Sequence, residues 1–217
     1  MEISKKMYDV RRLIFTECET NKWQFWNSHL AVVERIAQEL VREQGANLEI
    51  TMLGVYLHDI GKMRGINDEE HESAGVPIAE EIMRQFGYDE QTVQKVDDLI
   101  LSHPCGQRKP RTLEEKILAT ADAMSHFTGD FYLRLFWEHP PEKKIEEQVQ
   151  LCLQKVEKDF HDKIFFESAR VKIRPAYEAF KFVFSNFAVN TGEGTRVGFE
   201  GAGVGHSKGR HTQRKPM

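Results

Sequence analysis

Apolar positions recur along this chain at three- and four-residue intervals, the spacing of one helix face. Ile3, Met7, Val10 and Ile14 predict a first amphipathic helix, and Trp26, Leu30, Val33, Ala37 and Leu40 a second, closed by Gly45. From Ile50 to Leu57 there is no charge at all. That run is short for a membrane span, which needs about 20 apolar residues, so it predicts a helix buried on nearly every side, with Asn47 as its cap. After a loop from Met63 to Glu70, Ala74, Ile78 and Ile82 mark a helix ending at Gly87. Asp89 opens the next, which carries Val93, Val96 and Ile100 and ends near Pro104. Thr112 and Glu115 form a capping-box pattern ahead of Leu118 and Ala121, starting a helix to about Phe127. A short aromatic segment, Phe131 to Trp137, stops at Pro140-Pro141. Ile145, Val149, Cys152, Val156 and Phe160 then stripe a long helix, and Phe180, Phe184 and Phe187 share a face of the last one. No run of alternating residues flanked by hairpin turns interrupts this pattern, so the fold class is all-α.

Length changes the picture little: 217 residues suit one substantial domain, read here as residues 1–190. Residues 191–217 hold seven of the fifteen glycines, are basic and lack helical period, which predicts a disordered tail. His206 and His211 lie in it, away from any scaffold. Net charge is −4, so there is no basic excess for general nucleic-acid binding, and small molecules are the expected partners. Cys18, Cys105 and Cys152 are odd in number and widely spaced, which argues against a disulfide framework and against a thiolate zinc site. The N-terminal MEISKKMYDVRR has no apolar signal region, and no membrane anchor is visible, so the expected location is the cytoplasm. The phenylalanine face of the last helix reads first as core; a pocket wall or a homodimer contact is its other use.

Candidate chemistry enters where apolar stripes carry metal-binding groups. His58 and Asp59 end the uncharged run, and a buried carboxylate beside an imidazole is costly without a charged or hydrogen-bonding partner. His29 sits between Trp26 and Val33, His71 precedes Ala74 and Ile78, His103 extends the Val93, Val96, Ile100 stripe, and Asp122 lies within Leu118 to Met124. Each placement aims the side chain at the core. A single such histidine is usually a core residue bonded to a carbonyl; Asp122 among alanines needs a cation or donors, and His126 one turn later is the nearest. Jointly they predict a metal centre, whose imidazole and carboxylate donors suit Mn, Fe, Zn, Ni or Co, with Mg a poorer match.

The order His29, then His58-Asp59, then Asp122 resembles the signature of the HD-domain metal-dependent phosphohydrolases, and His58-Asp59-Ile60-Gly61 matches their HDIG variant. His71 and His103 resemble the extra histidines of two-metal members, although His71 follows Asp59 by only twelve residues. The resemblance covers about residues 22–130 and leaves the helices of 143–188 as accessories. It implies a helical bundle around one or two divalent transition metals, and hydrolysis of a phosphate ester, commonly of a nucleotide. His29, His58, Asp59 and Asp122 would hold one metal, with His71 and His103 holding a second that Asp59 bridges; the mononuclear alternative leaves His71 and His103 to bind phosphate or donate a proton.

Around this set, Lys62 is a candidate for the substrate phosphate and, with Asp59, for the catalytic pair; a solvated lysine at a helix end is equally compatible. Arg108, Lys109 and Arg111, in the loop after His103, are candidate phosphate contacts, against the plainer reading of a surface charge run. Glu72 is a candidate base, more simply a first-turn acid. His139 and His161 have no ligand companions at useful spacing. The same ligand order also resembles mixed-valence di-iron oxygenases of the HD fold, and a non-catalytic nucleotide sensor is a third class. Nucleic-acid cleavage is disfavoured by the acidic balance, though the basic tail suits a polyanion.

Overall fold

A computed structural model describes residues 4–20, 25–66, 71–137 and 144–191, with side chains to residue 187. Among the described residues there are helices and no strands. They run as α1 (Lys5–Thr20), a π-helical turn (Trp26–Leu30) leading into α2 (Ala31–Gln44), α3 (Leu48–Leu57), the single turn α4 (Ile60–Met63), α5 (His71–Gln85), α6 (Glu90–Ser102), α7 (Leu113–Thr128), α8 (Phe131–Trp137), α9 (Ile145–Lys158) ending in a second π-helical turn (Asp159–Lys163), and α10 (Glu167–Thr191). No described helix is long and apolar enough to cross a membrane.

The uncharged run forms the central helix. Thr51 to Leu57 of α3 are all buried, and α3 packs against α1, α2, α6 and α7. Its start is fixed as the sequence predicts: the Asn47 side chain accepts from Ile50 N at 3.0 Å. Asp89 and Thr112 cap α6 and α7 in the same way, and Gly45 closes α2 in the left-handed region at φ +74°. A buried acid ties the first three helices together: Glu34 takes a two-pronged contact from Arg11, at 2.8 and 3.0 Å, and a hydrogen bond from Tyr56 at 3.0 Å.

On α5, Ile82 is buried as expected, but Ala74 and Ile78 are only half-buried, and the buried line is completed by His71, Gly75, Ala79 and Met83. The cause is backbone proximity to α4. A Cβ on Gly61 would lie 2.3 Å from the carbonyl oxygen of His71, and one on Gly75 would lie 3.3 Å from the Gly61 nitrogen. Two glycines let the chain turn back closely after Asp59, so twelve residues suffice to return His71 to the core.

The C-terminal helices lean on α7. The α9 stripe buries Val149, Cys152, Val156 and Phe160 as expected, whereas Ile145, at its start, is exposed. On α10, Phe180 lies against Tyr132 with 4.9 Å between ring centroids and Phe184 is buried, while Phe187 is exposed. Ile3, the Pro140-Pro141 stop, His139 and the 192–217 tail fall outside the described residues.

Candidate metal centre

Five of the six candidate ligands sit where a helix starts, ends or widens; Asp122 is in mid-helix. His29 is in the π-helical turn before α2, which buries Trp26, His29 and Leu30 together; such widened turns recur at functional sites. His58 ends α3, and Asp59 departs from helical geometry, at φ −109° and ψ 19°, before α4 begins. Neighbours on an unbroken helix point about 100° apart. The break after Leu57 lets His58 and Asp59 face one cluster. His71 opens α5, His103 ends α6, and Asp122 lies on the almost wholly buried α7.

The structure brings these six together. His29 Nε2 lies 3.2 Å from His58 Nε2, 3.6 Å from Asp59 Oδ2 and 3.4 Å from Asp122 Oδ1. His58 Nε2 is 3.4 Å from Asp59 Oδ2 and 3.9 Å from Asp122 Oδ1. The other oxygen of Asp59 turns the opposite way: Oδ1 is 3.3 Å from His71 Nε2 and 3.9 Å from His103 Nε2. Asp59 is thus shared between two sets of donors, each compact enough to surround one cation. Its Oδ1 is buried, with Lys62 Nζ 3.1 Å away and the Nε2 atoms of His71 and His103 facing it. A buried carboxylate is costly without charged partners, and this mixed imidazole and carboxylate donor set is one that a divalent transition metal fits.

Three imidazoles are held with Nε2 toward the cluster. His58 Nδ1 pairs with the Val55 carbonyl at 2.9 Å, and His103 Nδ1 with the Ile100 carbonyl at 2.7 Å. His29 Nδ1 lies 3.0 Å from Ser125 Oγ, whose hydroxyl donates to the Asp122 carbonyl at 2.7 Å. A carbonyl can only accept, so Nδ1 carries a proton and Nε2 is the atom that a neutral ring would offer to a metal, the arrangement that orients metal-binding histidines. Burial depresses His29 to about 3 and His103 well below its usual range, so both are neutral. Burial also opposes ionisation of Asp59 and Asp122, but Lys62 and His58 beside the first, and Lys163 and His126 beside the second, hold both well below the usual carboxylate range.

The sequence places His126 beside Asp122, as the structure shows, but does not single out Lys155, Asp159 or Lys163. Lys163, fully buried, places Nζ 2.5 Å from Asp122 Oδ2. His126 has Nε2 3.4 Å from Asp122 Oδ1, and its Nδ1 meets Asp159 Oδ2 at 2.8 Å. Asp159 also accepts from Tyr132 at 2.9 Å and Lys155 at 2.5 Å. The signal that could have found them is the alternation of Lys155, Asp159 and Lys163 four residues apart beside the apolar stripe of α9. The π-helical turn swings Asp159, Phe160 and Lys163 inward together.

A cavity of about 370 Å³ opens over His71, His103, Asp122 and His126, and Lys62 lines it with Nζ 3.1 Å from Asp59 Oδ1. Glu72 is on the same wall, with Oε2 3.5 Å from His71 Nδ1. Arg108, Lys109 and Arg111 do not line it. Arg108 is paired with Asp98 at 2.7 Å, Lys109 reaches back to the Cys105 carbonyl at 2.6 Å, and Arg111 is exposed with its backbone N–H donating to Glu115. The loop folds onto the start of α7, which turns its cations away from the opening. The cavity's cations come instead from Lys62, Arg134, Lys155, Lys158 and Lys163.

Residues 27–126 match the family model for the HD domain. That segment, just under half of the chain, is an HD domain. It is similar to ribonuclease Y of Fervidobacterium nodosum, 34% identical over 98 residues, which are 45% of this chain and 17% of that protein. Ribonuclease Y of Thermosipho melanesiensis is 35% identical over 98 residues, 45% of this chain and 18% of that protein. The tRNA (cytidine(56)-2'-O)-methyltransferase of Thermoplasma volcanium is 29% identical over 119 residues, 50% of this chain and 33% of that protein. The chain thus spans less than a fifth of the ribonuclease Y relatives. No solved structure matches it.

Proposed function

We propose that this protein is a metal-dependent phosphohydrolase that cleaves a phosphate ester, with a nucleotide as substrate. One observation carries the reading: Asp59 presents one oxygen to His29 and His58 and the other to His71 and His103. His29, His58, Asp59 and Asp122 would hold one divalent transition metal, and His71 and His103, with Asp59 between, a second. Two such ions supply a hydroxide nucleophile at neutral pH and neutralise phosphoryl oxygens.

The chain's own residues do the rest. The Nδ1 tethers on His29, His58 and His103 fix three rings before any ligand arrives, so little ordering is left for the reacting complex. Lys163 occupies Asp122 Oδ2 and leaves Oδ1 to the centre. Lys62, on the cavity wall, sets a cation beside the place a scissile phosphate would take. Purified protein supplied in turn with Mn, Fe, Co, Ni, Zn and Mg and a panel of nucleotides and phosphoesters tests the proposal: the expected result is turnover that depends on the ion and disappears in Asp59→Ala. Oxygen uptake with iron and no ester hydrolysis with any ion would instead support the oxygenase reading.

A second reading, cleavage of phosphodiesters in RNA, is favoured by the ribonuclease Y relatives. Release of short products from single-stranded RNA, absent with mononucleotide esters, would select it.

A further inference from the structure

The cavity over the metal centre carries more positive charge than one scissile phosphate accounts for. Five cations against two carboxylates, Glu72 and Asp122, line it in a chain whose net charge is −4. Two belong to the centre: Lys62 lies beside Asp59 and Lys163 beside Asp122. The other three, Arg134, Lys155 and Lys158, come from α8 and α9, beyond the segment that matches the HD domain. Lys155 and Lys158 are three residues apart and share a face of α9.

Two of these outer cations, Arg134 and Lys158, are poorly neutralised. Lys158 is exposed and has no acidic group within ion-pair distance among the described residues. Arg134 meets Asp130 at 3.2 Å, but that carboxylate is half exposed, and surface pairs of this kind are worth ~0–1 kcal/mol, so a ligand can compete for the guanidinium. Lys155 is paired with Asp159 Oδ1 at 2.5 Å, while Oδ2 of that carboxylate serves His126 and Tyr132. Like charges gathered in a concave wall focus their field on whatever enters.

We propose that Arg134, Lys155 and Lys158 form a second anion subsite, which binds a phosphate group of the substrate other than the one hydrolysed. The inference rests on the phosphohydrolase reading and narrows it to substrates carrying at least two phosphates. The non-reacting phosphate anchors at the outer subsite, Arg134 offering a planar fork and the two lysines point charges, and this remote binding orients the scissile phosphate at the centre. A substrate with one phosphate reaches the metals but leaves the outer cations unanswered.

Calorimetric titration of manganese-loaded protein with inorganic phosphate and with pyrophosphate, in matched manganese buffer, tests this without turnover. Wild type is expected to prefer pyrophosphate by tenfold or more, and the Arg134→Gln/Lys158→Gln variant to lose most of that preference, pyrophosphate weakening at least tenfold and phosphate much less. Both side chains are at the rim, and an unchanged melting curve would show that the variant is folded. Equal weakening of both ligands, or no wild-type preference, overturns the proposal. If no ester is hydrolysed but the preference and its loss are seen, the hydrolytic reading fails and the subsite stands. If esters are hydrolysed without them, the subsite alone fails.

Discussion

Lys163 Nζ meets Asp122 Oδ2 at 2.5 Å inside the protein, so a lysine beyond the HD-matched segment fixes a carboxylate of the candidate metal centre. Breaking a buried pair by removing one partner leaves the other charge uncompensated, at a cost of about 3–5 kcal/mol. Lys163→Met should therefore lower the melting temperature of the metal-free protein by several degrees and reduce metal retained after gel filtration. Lys163→Arg should recover part of both. Melting curves and elemental analysis of the two variants check this.

The close approach of α4 to α5 gives a second prediction. Gly61→Ala would put a Cβ against the His71 carbonyl, a backbone atom that cannot swing away. His71 should be displaced from Asp59, so the variant is expected to lose one metal per chain in preference to both. Gly106→Ala is the control, since its Cβ would meet nothing within 4 Å. Metal counts per chain separate them.

Arg108 and Lys109 hold up a loop and do not line the cavity. Their replacement by alanine should leave kcat/KM within about twofold of wild type, and stability within ~0.5 kcal/mol, whereas Lys62→Ala should lower kcat/KM by tenfold or more. Steady-state kinetics on the best substrate of the panel reads the difference.

Asp97 predicts the pH response of the fold. It is buried between α5 and α6, and burial, with Glu80 next in effect, raises its pKa to about 7. An acid whose folded pKa is raised holds its proton longer folded than unfolded, so its contribution is present at low pH and lost as pH rises from about 4 to 7. Asp97→Asn removes this loss. Relative to wild type it should be more stabilising at pH 8 than at pH 4, by on the order of 2 kcal/mol, which denaturant titrations at the two pH values would show.

Much of this architecture was legible in the sequence, because it rests on local rules. Caps at Asn47, Asp89 and Thr112 and the uncharged run before His58 each follow from a few neighbouring residues. The six donors were readable because each interrupts an apolar stripe. What escaped depends on tertiary approach or irregular helix. The buried line of α5 is set by contact between Gly61 and His71. Asp159 and Lys163 turn inward through a π-helical turn that a 3.6-residue period does not anticipate. Arg108, Lys109 and Arg111 follow His103 closely in sequence, yet the path of their loop carries them off the cavity.

The most direct test of the account is the metal content of wild type and Asp59→Ala, purified without chelator and measured by elemental analysis. Because one carboxylate serves both sets of histidines, wild type should carry close to two transition-metal ions per chain and the variant close to none, with phosphoesterase activity lost in step. A variant that keeps two ions and its activity, or a wild type that binds none under any metal supplied, would contradict a centre bridged by Asp59.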